Sequence, residues 1–380
     1  MGTSGKINKK ILIATGLYPP DIGGPATYVR MLEETLPAHN IDCVVVPFTH
    51  VRHLPKVVRH FVYFIRLMKE ARAVDAIYAQ DPVSVGVPAL LVSRLFRKPF
   101  LVRLGGDYAW EQGQQRFGVT ALLDAYTKDK ASAPWQVRAL AKVQRFVVCH
   151  AKKVIVPSEY MKSIVSTWGV SDANLQVIYS ALFPLQVEQS VTELRESLGY
   201  SGTVLFSAAR LTPWKGFEVL LEVVASMIKT HSDLMLVIAG DGPEQGYLEA
   251  KAQELGIAKS VTFAGRLSKE ELGKRLKASD VFVLNTAYEG LSHQLLEVMA
   301  IGVPMVTTTA GGNPELITDG VTGLTVDYND AETLEEAIER VLHTDDLRTR
   351  MIAQAKVRTQ DFNQDKVVAQ LVTMFETYIW

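Results

Sequence analysis

Only two cysteines occur in 380 residues, Cys43 and Cys149, each among apolar neighbours ("IDCVVV", "FVVCHA"). That scarcity excludes a disulfide-stapled scaffold and predicts free core thiols in a reducing cytoplasm. No Cys/His grouping has zinc-site spacing along the chain. Although 48% of the residues are hydrophobic, no run approaches the roughly 20 apolar residues that span a bilayer. The stretch after Lys6, Lys9 and Lys10, "ILIATGLYPP", is too short for a secretory signal and ends in two prolines, so it is expected to be a buried first strand. The dinucleotide fingerprint G-x-G-x-x-G is missing as well. Its nearest approach, Gly240, Gly242 and Gly246, is one residue too long and lacks a convincing acidic partner, which argues against a nicotinamide-dependent oxidoreductase. Internal repeats and low-complexity segments are also lacking.

Net charge is nearly absent, at −1, but the average hides a split. Residues 1–180 carry 23 Lys and Arg against 13 Asp and Glu, a net +10, and residues 181–380 carry 17 against 28, a net −11. Such asymmetry suggests different partners for the two halves. The basic half suits an anionic membrane, an anionic acceptor or a nucleic acid; neutral drift of surface charge is the plain alternative.

What is present is a repeated strand–helix rhythm. "KKILIATG", "IDCVVVPF", "DAIYAQD", "KPFLVRLGG" and "KKVIVPS" read as strands, with amphipathic helices between several of them. The rhythm restarts after about Phe183 with the strands "GTVLFSAAR", "DLMLVIAGDG", "SVTFAG", "DVFVLN" and "VPMVTT". Continuous apolar strands separated by helices imply parallel sheets covered on both faces. The expected class is α/β, with two Rossmann-like doubly wound domains. Ligands of such sheets sit at the carboxyl ends of the strands, which singles out loops 19–25, 105–110, 210–216, 240–244, 265–267, 288–293 and 310–313.

The segment "YEGLSHQLLEVMAIGVPMV", residues 288–306, is the most informative. Ser292 is a good N-cap and would start a helix at about His293. That N-terminus offers free N–H groups and a positive dipole to a phosphate, and Gly290 lets the backbone approach closely. Glu297, past the first turn, can accept two ligand hydroxyls, each charged bond contributing about 1.5–3 kcal/mol. Upstream, Glu289 would face the same ligand. A capped helix with two solvated carboxylates is the bland alternative. Arg210 and Lys215 follow a strand with Gly216 behind them, and no Asp-x-Asp occurs. Two fixed cations in such a loop suit an anionic ligand such as a phosphate.

Four stretches, "ARLTPWKGFEVLL", "IAGDGPE", "VTFAGRL" and "YEGLSHQLLEVMAIGVPMVTTTAGGNPELITDGVTGL", resemble the donor-binding half of the retaining glycosyltransferases of family 4, which have the GT-B fold. "PPDIGGPATYV" and "VIVPSEYMKSIV" extend the likeness over most of the chain. The resemblance implies two domains facing across a cleft: residues 1–182 for the acceptor and 183–359 for the nucleotide sugar, with the final helix, about 360–380, packing back on the first. It implies Arg210 and Lys215 as diphosphate ligands, Glu289 as a sugar-positioning group and Glu297 as the ribose ligand. Gly265 and Arg266 would hold the base, Gly290, Leu291, Ser292 and His293 would line the donor, and Gly23 and Gly24 would close over the diphosphate. Gly240, Asp241 and Gly242 are expected to be structural, and Gly311 and Gly312 to form a turn beside the donor. Many relatives carry a histidine where this chain has Gly105 or Gly106. Asp107 is the substitute expected to bind a hydroxyl or take the acceptor's proton, with Tyr108 and Trp110 suited to a sugar face.

Residues 49–74 read as a basic, aromatic-rich helix, either lying on an anionic membrane or an ordinary amphipathic helix with a basic rim. The expectation is a metal-independent retaining hexosyltransferase with no cofactor and no nucleic-acid partner, moving sugar to a glycan or lipid-linked acceptor in the cytoplasm or at the inner membrane face. A sugar-nucleotide epimerase and a non-catalytic sugar-binding relative are the alternatives.

Overall fold

The computed structural model describes residues 9–21 and 23–380; Lys6 and Ile22, which fall in the N-terminal basic stretch and the first glycine loop, lie outside the described residues. The chain forms two compact units. One comprises residues up to Ala181 together with Gln364–Trp380, and the other is Leu182–Asn363.

The first unit is built on β1 (Lys9–Thr15), β2 (Ile41–Pro47), β3 (Ala76–Ala79), β4 (Phe100–Arg103), β5 (Lys153–Val156) and β6 (Leu175–Val177), in the order β2-β1-β3-β4-β5-β6. Every pairing is parallel. Helices cover both faces, so Ile11, Leu12, Ile13 and Ala14 are wholly buried although they alternate in direction. Full burial of a side chain such as Ile13 contributes about 1.5–3 kcal/mol, and this is what turns an unbroken apolar run into a central strand. The helix Gln364–Tyr378 returns to this unit. Phe375 meets Tyr78 edge-on at 5.5 Å, and Lys153 Nζ donates to the Tyr378 hydroxyl at 2.9 Å.

In the second unit β7 (Val204–Ala208), β8 (Met235–Ala239), β9 (Val261–Gly265), β10 (Val281–Leu284), β11 (Met305–Thr308) and β12 (Leu324–Val326) lie in the order β12-β11-β10-β7-β8-β9, again all parallel. The helix Phe217–Met227 packs Leu220, Leu221 and Val224 onto this sheet. Strands β6 and β12 were not expected. Each has three residues, too few to show a periodicity.

Two further expectations need correction. Cys149 is exposed, at the last residue of the helix Trp135–Cys149, just ahead of the turn into β5. Cys43 is only half-buried, although burial still pushes its thiol up to about 12. The basic segment is helical only over Lys56–Ala71; Phe48–Val51 forms a separate 3-10 turn. Pro55 excludes the helical conformation from Leu54, so the helix starts after it.

Candidate functional site

In the second unit the strand order reverses between β7 and β10. Connections leave these neighbours in opposite directions, so their carboxyl ends open a crevice. The loop after β7 carries Arg210 and Lys215, and the loop after β10 carries Glu289 and Gly290. Two bonds to the Trp214 carbonyl tie the loops together, from Ala287 N at 2.8 Å and Thr286 Oγ1 at 3.3 Å. Lys215 closes the 3-10 turn Pro213–Lys215, and Gly216 behind it has φ +55°. A Cβ at Gly216 would lie 2.5 Å from Asn285, whose Nδ2 donates to the Gly216 carbonyl at 3.0 Å. Asn329 N donates in turn to Asn285 Oδ1 at 3.1 Å.

This frame delivers Lys215 Nζ to Glu289 Oε1 at 2.5 Å, with side chains only 11% and 18% exposed. Glu289 is fixed from the other side. Gly312 N donates to its carbonyl at 2.8 Å, and Gly311, at φ +62°, lies so close that a Cβ there would come within 2.3 Å of that oxygen. The two glycines thus set the backbone that carries Glu289.

Ser292 caps the helix His293–Ile301, its hydroxyl accepting from Leu295 N at 3.3 Å, as the sequence predicts. Gly290, Leu291 and Ser292 are buried, and His293 is half-buried at the first helical position. Glu297 is buried and paired with Lys269 in the first turn of the helix Lys269–Lys277. Burial pushes the Glu297 carboxyl up, and the Lys269 ammonium pulls it back down. Arg210 is exposed at the end of β7. Arg266, after Gly265 at φ +63°, bonds Asp241 through Nη2 at 2.9 Å, both side chains in solvent. The Gly240–Gly242 turn is a spacer: a Cβ at either glycine would strike the Ala209 or Leu211 carbonyl, within 1.9 and 2.1 Å.

In the first unit the order reverses between β1 and β3. After β1, Gly23 caps the helix Gly24–Thr35 through its backbone, with no side-chain cap. After β3, Asp81 Oδ1 accepts from Val83 N at 2.8 Å and Ser84 N at 2.6 Å.

Asp107 does not fit the role expected of it. It is fully buried and caps the helix Tyr108–Arg116: Oδ1 accepts from Trp110 N at 3.1 Å and from Gln144 Nε2 at 2.8 Å. Burial raises its carboxyl, and the bonds from Gln144 and Trp110 pull it back down. Trp110 is equally buried, donating Nε1 to the Ala121 carbonyl at 2.8 Å, so its ring belongs to the core. Tyr108 is half-buried, its hydroxyl accepting from Ser84 Oγ at 3.4 Å.

Sequence reasoning passed over Lys269, Asn285, Asn329 and Asp81. Lys269 had a weak signal, a capped helix start two residues beyond a loop already singled out. The two asparagines had none, since they meet only through the tertiary fold.

The Glycosyl transferases group 1 family matches residues 192–358, and the Glycosyl transferase 4-like domain matches residues 23–181. The chain belongs to the family 4 glycosyltransferases. An uncharacterized glycosyltransferase of Methanocaldococcus jannaschii is 26% identical over 400 residues, covering 97% of this chain and 98% of its own length. A GDP-mannose-dependent alpha-mannosyltransferase of Corynebacterium glutamicum is 27% identical over 391 residues, covering 97% of this chain and 89% of its own. The HepE protein of Anabaena in complex with UDP-glucose superposes with a TM-score of 0.76 at 19% identity, covering 97% of this chain and 99% of that one. This glycosyltransferase therefore has the GT-B fold of two Rossmann-like domains.

Proposed function

We propose that this glycosyltransferase moves a hexose-type sugar from a nucleoside diphosphate sugar to a glycan or lipid-linked acceptor, with retention at the anomeric carbon and without a metal or other cofactor. The observation that carries the reading is the Lys215–Glu289 pair in the crevice between β7 and β10. A cation and an anion held 2.5 Å apart at a ligand-binding crevice can each be claimed by a ligand. The diphosphate takes Lys215, with Arg210 in the same loop reaching its outer oxygens. Amides at the start of the helix His293–Ile301 add a positive dipole. Freed from Lys215, Glu289 binds sugar hydroxyls, and Glu297 exchanges Lys269 for the ribose. Arg266 and Gly265 border the base. Gly23 and Gly24, at the start of the helix Gly24–Thr35, offer backbone amides to a phosphate.

As the glycosidic bond breaks, negative charge gathers on the leaving diphosphate, and Arg210 and Lys215 stabilise it. The acceptor attacks from the same face and passes its proton to a phosphate oxygen, so no protein nucleophile is needed. The relatives include a GDP-mannose enzyme and a protein solved with UDP-glucose, so the base is the first thing to measure.

The basic domain suits an acceptor at an anionic membrane, and envelope polysaccharide synthesis is the corresponding role. Among the described residues no helix is long and apolar enough to cross a membrane. The helices Lys56–Ala71, Gly86–Phe96 and Trp135–Cys149 pack side by side. They leave Val57, Phe61 and Leu95 exposed by 84%, 64% and 62%. Arg94 sits 5.6 Å over the ring of Phe146 on the same surface. Each such cation adds about 1 kcal/mol near an anionic leaflet. Flotation with phosphatidylglycerol vesicles, but not with phosphatidylcholine vesicles, is expected, and Phe61→Asp should abolish it.

The donor reading is tested by thermal unfolding with UDP, GDP, ADP or NAD, each with magnesium or with EDTA. One diphosphate at about 100 times its Kd should add about 2.7 kcal/mol in EDTA as well as in magnesium. A shift with NAD alone, or with none, defeats the reading. Product NMR after incubation with the matching sugar nucleotide then reports the anomer.

A further inference from the structure

Away from the donor crevice, three potential ligands converge at the opposite end of the second sheet, by the amino ends of its strands. His231 follows the helix Phe217–Met227 and precedes β8, and Glu339 and His343 lie on the last turns of the helix Ala331–His343. Glu339 and His343 are four apart and so share one face of their helix. His231 Nε2 lies 2.8 Å from Glu339 Oε1, and His343 Nε2 lies 3.0 Å from Glu339 Oε2. The two imidazoles stack with centroids 5.6 Å apart and planes inclined by 27°. Among the described residues this is the one group of three His, Cys or carboxylate side chains whose ligand atoms lie within 4.8 Å of one another.

We propose that His231, Glu339 and His343 form a zinc site that clips the end of one helix to the end of the other. Two imidazole nitrogens and a carboxylate are a donor set zinc takes readily, at about 2.0–2.2 Å, with water completing the tetrahedron. Tetrahedral bonds of that length place ligand atoms about 3.3–3.5 Å apart, so the present spacing needs only side-chain adjustment. The frame is already set. His231 N donates to the Met227 carbonyl at 2.8 Å, and one turn earlier Ser226 Oγ donates to Glu335 Oε1 at 3.1 Å, joining the same two helices. Both imidazoles turn Nε2 toward a single carboxylate, so deprotonated Nε2 lone pairs would converge on one point.

The placement gives the site a consequence. The helix Phe217–Met227 starts directly after Lys215 and Gly216, and the helix Ala331–His343 starts after Asn329, which bonds Asn285. The ion would join the far ends of the two helices whose near ends frame the donor crevice, roughly 17 Å away along the helix axis. It acts on stability and takes no part in transfer.

The test is zinc titration of the full chain, stripped with EDTA and dialysed, by calorimetry with ZnCl2 and by visible absorption with CoCl2. One equivalent should bind, cobalt should show tetrahedral ligand-field bands, and zinc should raise the Tm. His343→Gln and His231→Gln should each weaken zinc more than about tenfold, since even second-shell changes cost 10- to 100-fold, while His39→Gln should change nothing. His343 is exposed, so its variant is expected to fold. No saturable binding up to 1 mM ZnCl2, equal binding in all three variants, or loss in the His343 variant with none in the His231 variant would each overturn the three-ligand site.

Discussion

The Lys215–Glu289 pair makes opposite predictions for its two partners. At 2.5 Å and an effective dielectric of about 20, their attraction is about 6–7 kcal/mol before desolvation is charged against it. After desolvation a charge-assisted bond of this kind contributes about 1.5–3 kcal/mol. A diphosphate displaces Glu289 from Lys215 and, carrying more charge than the carboxylate, gains the stronger bond; without Lys215 the stranded Glu289 carboxylate repels it. Lys215→Met should therefore weaken UDP, or whichever diphosphate binds, by about 10- to 150-fold. Glu289→Gln removes the competitor and should leave diphosphate affinity unchanged or tighten it by up to about tenfold, while turnover of the intact sugar nucleotide falls. Stability adds an independent check. Lys215→Met strands a largely buried carboxylate at a cost of about 2–3 kcal/mol, below the 3–5 kcal/mol of a fully buried pair because some water reaches Glu289. The Lys215→Met, Glu289→Gln double variant should recover part of that loss. Calorimetric titration of all four proteins with the diphosphate, with thermal melts alongside, is the assay. If Glu289→Gln weakens the diphosphate as much as Lys215→Met does, the exchange of partners is wrong.

The raised carboxyl of Glu297 has two consequences of opposite sign. The folded state keeps this proton longer than the unfolded chain does, so the group's contribution to stability is greatest at low pH and declines as pH climbs through the raised value. If Glu297 holds the ribose as an anion, diphosphate affinity should fall as its carboxyl takes up a proton at acid pH, and Glu297→Gln should flatten that profile in calorimetry. Gly311→Ala forces a Cβ against the Glu289 carbonyl at a positive φ and should cost about 1–3 kcal/mol in thermal unfolding; an unchanged melting temperature would remove the glycine turn from the frame of Glu289. Asp107→Asn keeps a capping oxygen and should retain most turnover, whereas loss of more than about 100-fold, the lower range for removing a general base, would restore Asp107 to the chemistry.

Much of the site was legible because it is encoded locally. Ser292 and the apolar run after it announce a capped helix, and Glu297 lies within reach of that cap along the chain. Arg210 and Lys215 follow an unmistakable buried strand. Where reading failed, the missing information was long-range. Asp107 looks like a free loop carboxylate until Gln144, on a helix well downstream, is seen to close over it. Trp110 looks like a sugar platform until its ring is found wholly buried, with the indole N–H bonded to the Ala121 carbonyl. Strands β6 and β12 exist only because a neighbour offers them an edge.

The sequence by itself determined the class of the fold, its division into two strand–helix units and the loops at the carboxyl ends of its strands. Hydrophobic period and turn chemistry are local properties, and two runs of strand and helix leave few packings. Tertiary structure alone decided which groups meet. Lys215 and Glu289 are 74 residues apart, and His231 and Glu339 are 108 apart. No spacing along the chain sets such distances. They are set by the order in which the strands pair, because that order brings the loops after β7 and β10 together at one end of the sheet, while side-by-side helix packing joins two helix ends at the other.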